Sequence, residues 1–168
     1  MTDLHRVAVL GGGSFGTVIA NIIAANGHAT YLWMRNAVRV EQVKTSRQNP
    51  DYLPGFMLDQ RLRATSVLDE AVKNADIVFV AVPSGSFREV VRQVAKTVCD
   101  NTLVISLTKG IESPGFHLMS EILRDELPVN PRGVLSGPNL ASEIAEGHLT
   151  GSVIASEIPT HSALIQTL

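Results

Sequence analysis

Three glycines near the start of the chain have the spacing of a turn that binds phosphate. Gly11, Gly13 and Gly16 form the pattern G-x-G-x-x-G directly after the apolar residues 7–10. In such a turn the first glycine permits the tight bend, the second leaves room for a pyrophosphate, and the third lets helix and strand pack closely. Purely structural turns can show the same pattern. Because an apolar strand precedes it and a helical pattern follows it, we predict a dinucleotide site with the pyrophosphate at the helix N-terminus.

A basic residue stands where NAD-binding sheets usually carry an acidic one. In those sheets a carboxylate about 20 residues after the glycines holds the ribose 2′-hydroxyl of NAD. Here residues 33–36 read Trp-Met-Arg-Asn, and Arg39 lies one helical turn beyond Arg35. Arg35 is either an ordinary solvated arginine or a charge-assisted donor to a 2′-phosphate. The glycine turn favours the second interpretation, which predicts that NADP (NADPH) is preferred, with NAD as an alternative.

Polar motifs follow two later apolar runs. Lys109 comes directly after the predicted strand 102–107, and its ammonium could neutralise a phosphate, polarise a carbonyl oxygen or simply lie exposed in a loop. Gly137 and Asn139 follow the next predicted strand. Gly137 would allow a close backbone approach, while Asn139 could cap the next helix or bond a ligand. Since ligands bind outside the carboxyl ends of parallel strands, we predict that Lys109 and Gly137 face one crevice.

Alternating strand and helix patterns must position these residues. Apolar runs predict strands at 7–10, 29–34, 63–65, 76–83, 102–107, 133–136 and 152–155, and helical spacing predicts helices at 17–26, 36–46, after a cap near Ser66, at 86–98, 116–127, 139–146 and from 159. Residues 47–63 lack clear periodicity, which predicts a loop long enough to be functional. The alternation predicts one α/β domain, residues 1–168, built on a doubly wound, mostly parallel, Rossmann-like sheet with helices on both faces.

Composition narrows the class of protein. The 14 basic and 16 acidic residues give a formal net charge of -2, so neither a nucleic acid nor a membrane is expected as a partner. Cys99 is the only cysteine, which fits a reducing compartment and predicts a small buried side chain. No signal-peptide core is present at the start, which predicts a cytoplasmic protein. The five histidines lack the spacing of metal ligands, so no metal site is predicted.

Six motifs in a fixed order resemble those of bacterial NAD(P)-dependent glycerol-3-phosphate dehydrogenase. They are the glycine turn at 9–17 and residues 32–35, 49–55, 82–84, 106–112 and 136–143. The resemblance covers nearly the whole chain. It implies hydride transfer that interconverts sn-glycerol 3-phosphate and dihydroxyacetone phosphate, for glycerophospholipid synthesis.

The resemblance also implies cofactor contacts at single residues. Ser14, Phe15 and Arg35 would contact the nucleotide, as would the glycine turn. Lys109 would touch both cofactor and substrate, and Ala141 would lie beside the cofactor.

The substrate, a small phosphorylated three-carbon molecule, would lie near Lys109, Gly137 and Asn139. The family often has Ser or Thr at the position of Asn139, and an asparagine there changes the reach of the polar group. The family's catalytic lysine, a proton donor or acceptor, belongs to a second, helical domain. The resemblance therefore implies that residues 1–168 are the NAD(P)-binding domain without that helical domain, and that no catalytic residue lies among them. A homodimer of the full-length enzyme stays open.

Two alternatives also stay open. The chain could belong to another two-domain NADP-dependent reductase, of the 6-phosphogluconate or hydroxy-acid type, which would need different residues after the fifth strand. It could also be a nucleotide-sensing module that performs no chemistry.

Overall fold

Strands and helices alternate along the chain in the computed structural model, which describes residues 4–168. The strands are β1 (Arg6–Leu10), β2 (Ala29–Trp33), β3 (Arg63–Thr65), β4 (Ile77–Val80), β5 (Leu103–Ser106), β6 (Arg132–Ser136) and β7 (Val153–Ser156). The helices are α1 (Ser14–Ala25), α2 (Ala37–Ser46), α3 (Leu68–Val72), α4 (Ser84–Val94), α5 (Met119–Glu126), α6 (Ala141–Ala145) and α7 (Pro159–Ile165).

The strands form one sheet in the order β3-β2-β1-β4-β5-β6-β7. Neighbouring strands are parallel from β3 to β6, and β7 alone among the described strands is antiparallel to its neighbour, β6. This confirms the predicted doubly wound, mostly parallel, Rossmann-like sheet. The chain reverses its direction of winding between β1 and β4, and the carboxyl ends of these strands mark the usual ligand crevice of such a fold.

Both faces of the sheet are buried, which explains the continuous apolar runs of its inner strands. Val7 and Val9 of β1 face the core cluster that includes α1, whereas Ala8 and Leu10 face the cluster that includes α4 and α5. All four side chains are fully buried. The last helix also contributes, since Ile165 packs into the same cluster as Val7 and Val9.

Three local predictions from the sequence differ from the structure. Helix α5 begins at Met119 and not at 116, because Phe116 has a left-handed φ of 57° that a helix cannot accommodate. Ser66 does not cap α3; instead, Thr65 Oγ1 accepts a hydrogen bond from the Val67 N–H at 3.1 Å. Cys99 lies exposed beyond the end of α4, so the prediction that its side chain is buried is wrong.

A buried histidine lies at the edge of the sheet opposite the ligand crevice. His28 is 2% exposed, and its Nδ1 accepts a hydrogen bond from the His5 backbone N–H at 3.2 Å. Burial, and then the charge of His5, hold the pKa of His28 below its ordinary value. The unfolded chain therefore binds a proton at this histidine at a higher pH than the folded chain does.

We expect the free energy of unfolding to fall as the pH decreases from about 7 through about 6, because the unfolded state takes up the proton first. Urea denaturation across this range should show a flatter pH dependence for His28→Gln than for the wild type. His148→Gln is the matched control, since His148 is 63% exposed. An unchanged slope in His28→Gln would contradict this explanation.

Candidate functional site

The glycine turn packs against the end of β4. Gly11 has a φ of 124°, and a Cβ at this position would overlap the Ala81 carbonyl group. A Cβ at Gly16 would overlap the Gly11 carbonyl oxygen, so the first turn of α1 also lies directly on the bend. The predicted reasons for glycine at both positions, a tight bend and a close helix contact, are confirmed.

The start of α1 faces open space. Gly13 is the N-cap residue, and no side chain of residues 4–168 accepts a hydrogen bond from the N–H groups at this helix end. A Cβ at Gly13 would meet no atom of the described chain within 4 Å. Helix N-termini with unpaired N–H groups attract anions. The turn therefore fits the pyrophosphate of a dinucleotide.

A cavity of about 840 Å³ lies along the carboxyl ends of the strands. The glycine turn, Ser14 and Phe15 line its middle, Arg35 lines the part beyond β2, and Lys109 and Ala141 line the part beyond β5 and β6. The volume is in the range of protein ligand sites. The predicted cofactor residues thus surround one cavity.

The Arg35 end of the cavity is basic. Arg35 is exposed and makes no side-chain hydrogen bond or ion pair within the described part of the chain. Asn36 caps α2 by accepting hydrogen bonds from the N–H groups of Val38 and Arg39 at 2.9 and 3.3 Å. The cap positions Arg39 in the first turn of α2, where it lines the same end of the cavity.

The loop between α2 and β3 is fastened to the glycine turn. Asn49 is 2% exposed, and its Nδ2 donates to the Gly12 carbonyl oxygen at 2.9 Å and to Thr17 Oγ1 at 2.8 Å. Tyr52 from the same loop lines the cavity. Apart from the resemblance, only the length of the loop pointed to these residues, because their contacts follow no periodic pattern.

Lys109 and Gly137 are in direct contact. Lys109 Nζ donates to the Gly137 carbonyl oxygen at 2.9 Å and lies 3.4 Å from Asn139 Oδ1. Asn139 Nδ2 donates to Ser152 Oγ at 2.9 Å, and Asn139 is 7% exposed. The N-cap residue of α6 is Leu140, so Asn139 does not cap this helix and that alternative is wrong. Ser152, which connects β6 to β7, was not found from the sequence.

The Gly137 backbone meets a different part of its own chain. A Cβ at Gly137 would overlap the Gly151 carbonyl oxygen. The expected close backbone approach is therefore present, but its partner in the structure is the connection between β6 and β7. This contact holds the Gly137 carbonyl group in the position that Lys109 reaches.

Two sets of contacts fix the loop that carries Lys109. Thr108 Oγ1 donates to the Val82 carbonyl oxygen at 2.7 Å. Glu112 accepts two hydrogen bonds from Arg88, at 2.7 and 2.8 Å, and these hold the pKa of Glu112 below its ordinary value. Arg88 also donates to Glu126 of α5 at 2.7 Å. The loop is thus tied to the segment just after β4 and to α4 and α5.

Comparison with known proteins identifies the family of this chain. A family model described as NAD-dependent glycerol-3-phosphate dehydrogenase N-terminus matches residues 6–162. The chain belongs to this family. The glycine turn, Arg35, Lys109 and Asn139 all lie within the matched residues.

This chain spans about half the length of the curated relatives that it matches. The glycerol-3-phosphate dehydrogenase (NAD(P)+) of Teredinibacter turnerae is 57% identical over 168 residues, which are 100% of this chain and 48% of the relative. That of Saccharophagus degradans is 54% identical over 94% of this chain and 44% of the relative. The crystal structure of glycerol-3-phosphate dehydrogenase from Coxiella burnetii matches with a TM-score of 0.93 and 31% identity, over 98% of this chain and 51% of that chain.

Residues 4–168 contain neither a candidate metal site nor a helix that could span a membrane. No group of three or more His, Cys, Asp and Glu side chains could hold a metal ion. None of the helices has the length and apolar character that crossing a membrane requires.

Substitution of single glycines should separate folding from binding. Gly16→Ala should lower the free energy of unfolding by about 1–3 kcal/mol or more, because its Cβ overlaps backbone. Gly13→Ala should change it by less than about 1 kcal/mol. The added methyl group should nevertheless weaken dinucleotide binding at least about tenfold, because it occupies the pyrophosphate's space.

Thermal unfolding and a dinucleotide titration on the same samples would measure both effects. If Gly13→Ala binds as tightly as the wild type, the pyrophosphate does not lie at this turn.

Proposed function

We propose that this chain is the NAD(P)-binding part of a glycerol-3-phosphate dehydrogenase. The enzyme would interconvert sn-glycerol 3-phosphate and dihydroxyacetone phosphate and serve glycerophospholipid synthesis. The observation that carries the proposal is that Lys109 and Asn139 line the same cavity as the glycine turn, while Gly137, which does not line it, accepts a hydrogen bond from Lys109. The family match and the names of the relatives point to the same reaction.

The glycine turn and α1 would bind the cofactor. Gly11 and Gly16 shape the bend, Gly13 leaves space, and the N–H groups at the start of α1 donate to the pyrophosphate. Ser14 and Phe15 lie in the first turn of that helix and line the cavity. Arg35 would bind the adenosine ribose, which favours NADP over NAD because its guanidinium complements a phosphate. Ala141 would lie beside the cofactor at the other end.

Lys109 would orient the substrate. When bound, the nicotinamide supplies or accepts the hydride. The Lys109 ammonium lies beside the Gly137 carbonyl and the Asn139 amide, so a substrate oxygen would complete its set of acceptors. A positioned positive charge stabilises the negative charge that develops on such an oxygen. We assign the proton transfer to none of residues 1–168, since the family's catalytic lysine belongs to its second, helical domain.

The proposal also covers the cellular location and the oligomeric state of the enzyme. We place it in the cytoplasm, because its single cysteine, which is exposed, fits a reducing compartment. A homodimer of the full-length enzyme is part of the same proposal.

The alternatives have less support. One alternative is another two-domain NADP-dependent reductase, of the 6-phosphogluconate or hydroxy-acid type. Structures of other reductases, such as the ketopantoate reductase from Ralstonia eutropha at 19% identity, support the fold alone. A module without chemistry would not need the ordered contacts of Lys109.

The role of Arg35 can be tested by cofactor binding. Trp33 is the only tryptophan and lines the cavity, so its fluorescence should report binding. If Arg35 binds the 2′-phosphate, NADPH should bind about 10- to 100-fold more tightly than NADH. In Arg35→Ala that preference should largely disappear. Arg124→Ala, an exposed arginine on α5, is the control for the loss of one positive charge. Unchanged discrimination in Arg35→Ala would remove Arg35 from the site.

The role of Lys109 requires turnover. In the complete gene product that contains this chain, Lys109→Ala should lower kcat for dihydroxyacetone phosphate reduction about 10²- to 10³-fold, because a positioned charge is lost.

Residues 1–168 expressed alone should bind NADPH yet show turnover near background, because they would lack the general acid. The rate of NADPH oxidation measures the turnover of the Lys109→Ala variant and of residues 1–168. Binding without any turnover by the complete product would instead support the nucleotide-sensing module.

A further inference from the structure

Three side chains form a cluster at the basic end of the cavity. Arg39 Nε donates to Asp51 Oδ2 at 2.8 Å, and Arg39 Nη1 donates to the Tyr52 hydroxyl at 3.1 Å. The Arg39 guanidinium carbon also lies 4.8 Å from the centre of the Tyr52 ring. Arg39 and Tyr52 line the cavity together with Arg35. The cluster therefore lies beside the proposed position of the adenosine ribose.

Asp51 does not itself line the cavity, but its carboxylate contacts Arg39, which does. The end of β2 carries Arg35 where NAD-binding sheets usually carry a carboxylate. Asp51 comes from the loop after α2, yet its carboxylate reaches Arg39 in the first turn of that helix. A carboxylate at this end repels a 2′-phosphate and occupies a guanidinium that could bind it.

The loop holds Asp51 in position. Asn49 is bonded to the glycine turn, and the Leu53 N–H donates to the Asn49 carbonyl oxygen at 2.7 Å. Leu53 itself is 3% exposed. Both flanks of Asp51 are thus anchored, whereas its own side chain is 53% exposed. The carboxylate is fixed near Arg39 without being buried.

We propose that Asp51 sets the balance between NADP and NAD by holding Arg39 away from the 2′-phosphate. Arg35 attracts the phosphate, and Asp51 withholds part of the second positive charge. Exchange of Asp51 for a phosphate is easy, since an ion pair between partly exposed groups contributes little stability. The proposal rests on the proposed function, because it assigns the specificity of the same dinucleotide site.

The test compares cofactor affinities in matched variants of this chain. Asp51→Asn keeps the shape and removes the charge, so the Kd for NADPH should decrease about 2- to 5-fold while that for NADH changes less than about twofold. Arg39→Gln should weaken NADPH binding, and adding Asp51→Asn to Arg39→Gln should produce no further change.

Glu41→Gln is the control for net charge. Glu41 lies on the same helix as Arg39, but it pairs with Lys44 at 2.9 Å and not with Arg39. Trp33 fluorescence titrations with NADPH and NADH give the affinities, and circular dichroism confirms that each variant is folded.

The possible results are distinct. A gain in the NADPH to NADH preference for Asp51→Asn, absent in Glu41→Gln and abolished without Arg39, supports the proposal. An equal effect in Asp51→Asn and Glu41→Gln, or an effect that persists without Arg39, overturns it. If neither cofactor binds the wild-type chain, the proposed function itself fails.

Discussion

The close contact between the glycine turn and the end of β4 determines where the rest of the site lies. Gly11 touches the Ala81 backbone and Gly16 touches Gly11, so any larger side chain at either position would push α1 away from the sheet. Because α1 starts at this contact, its N-terminus points along the carboxyl edge of the sheet. Asn49 bonds to the same turn and brings the loop after α2 to the cavity. One tight packing contact thus aligns a helix, two strands and a loop.

Most of the fold could be predicted from the sequence, because inner parallel strands are buried on both faces. The runs at β1, β4 and β5 are apolar at nearly every position. This pattern can be recognised in the sequence without knowing which strands pair with each other. The features that could not be predicted depend on single backbone angles or on how strands pair. The left-handed φ of Phe116 moves the start of α5 further along the chain. The antiparallel direction of β7 cannot be inferred from the alternation of strands and helices.

The residues of the site also fall into those that could be predicted from the sequence and those that could not. Lys109 and Gly137 could be predicted because strand ends in a parallel sheet converge on one edge. Ser152, Asn49 and Asp51 could not, since each acts through a hydrogen bond to a residue at least 12 positions away. Such contacts have no periodicity. They depend on how a finished loop lies on the sheet, which a linear pattern does not encode.

The contacts of Lys109 order its side chain during folding, before any ligand binds. A free lysine side chain has many rotamers, and ordering it costs up to about 2 kcal/mol of conformational entropy. Here Ser152 orients Asn139, and Asn139 and the Gly137 carbonyl orient the ammonium. The side chain is therefore ordered when the antiparallel edge of the sheet folds. A ligand that later meets this ammonium finds part of its motion already lost, so that entropy reduces the ligand's binding free energy by less.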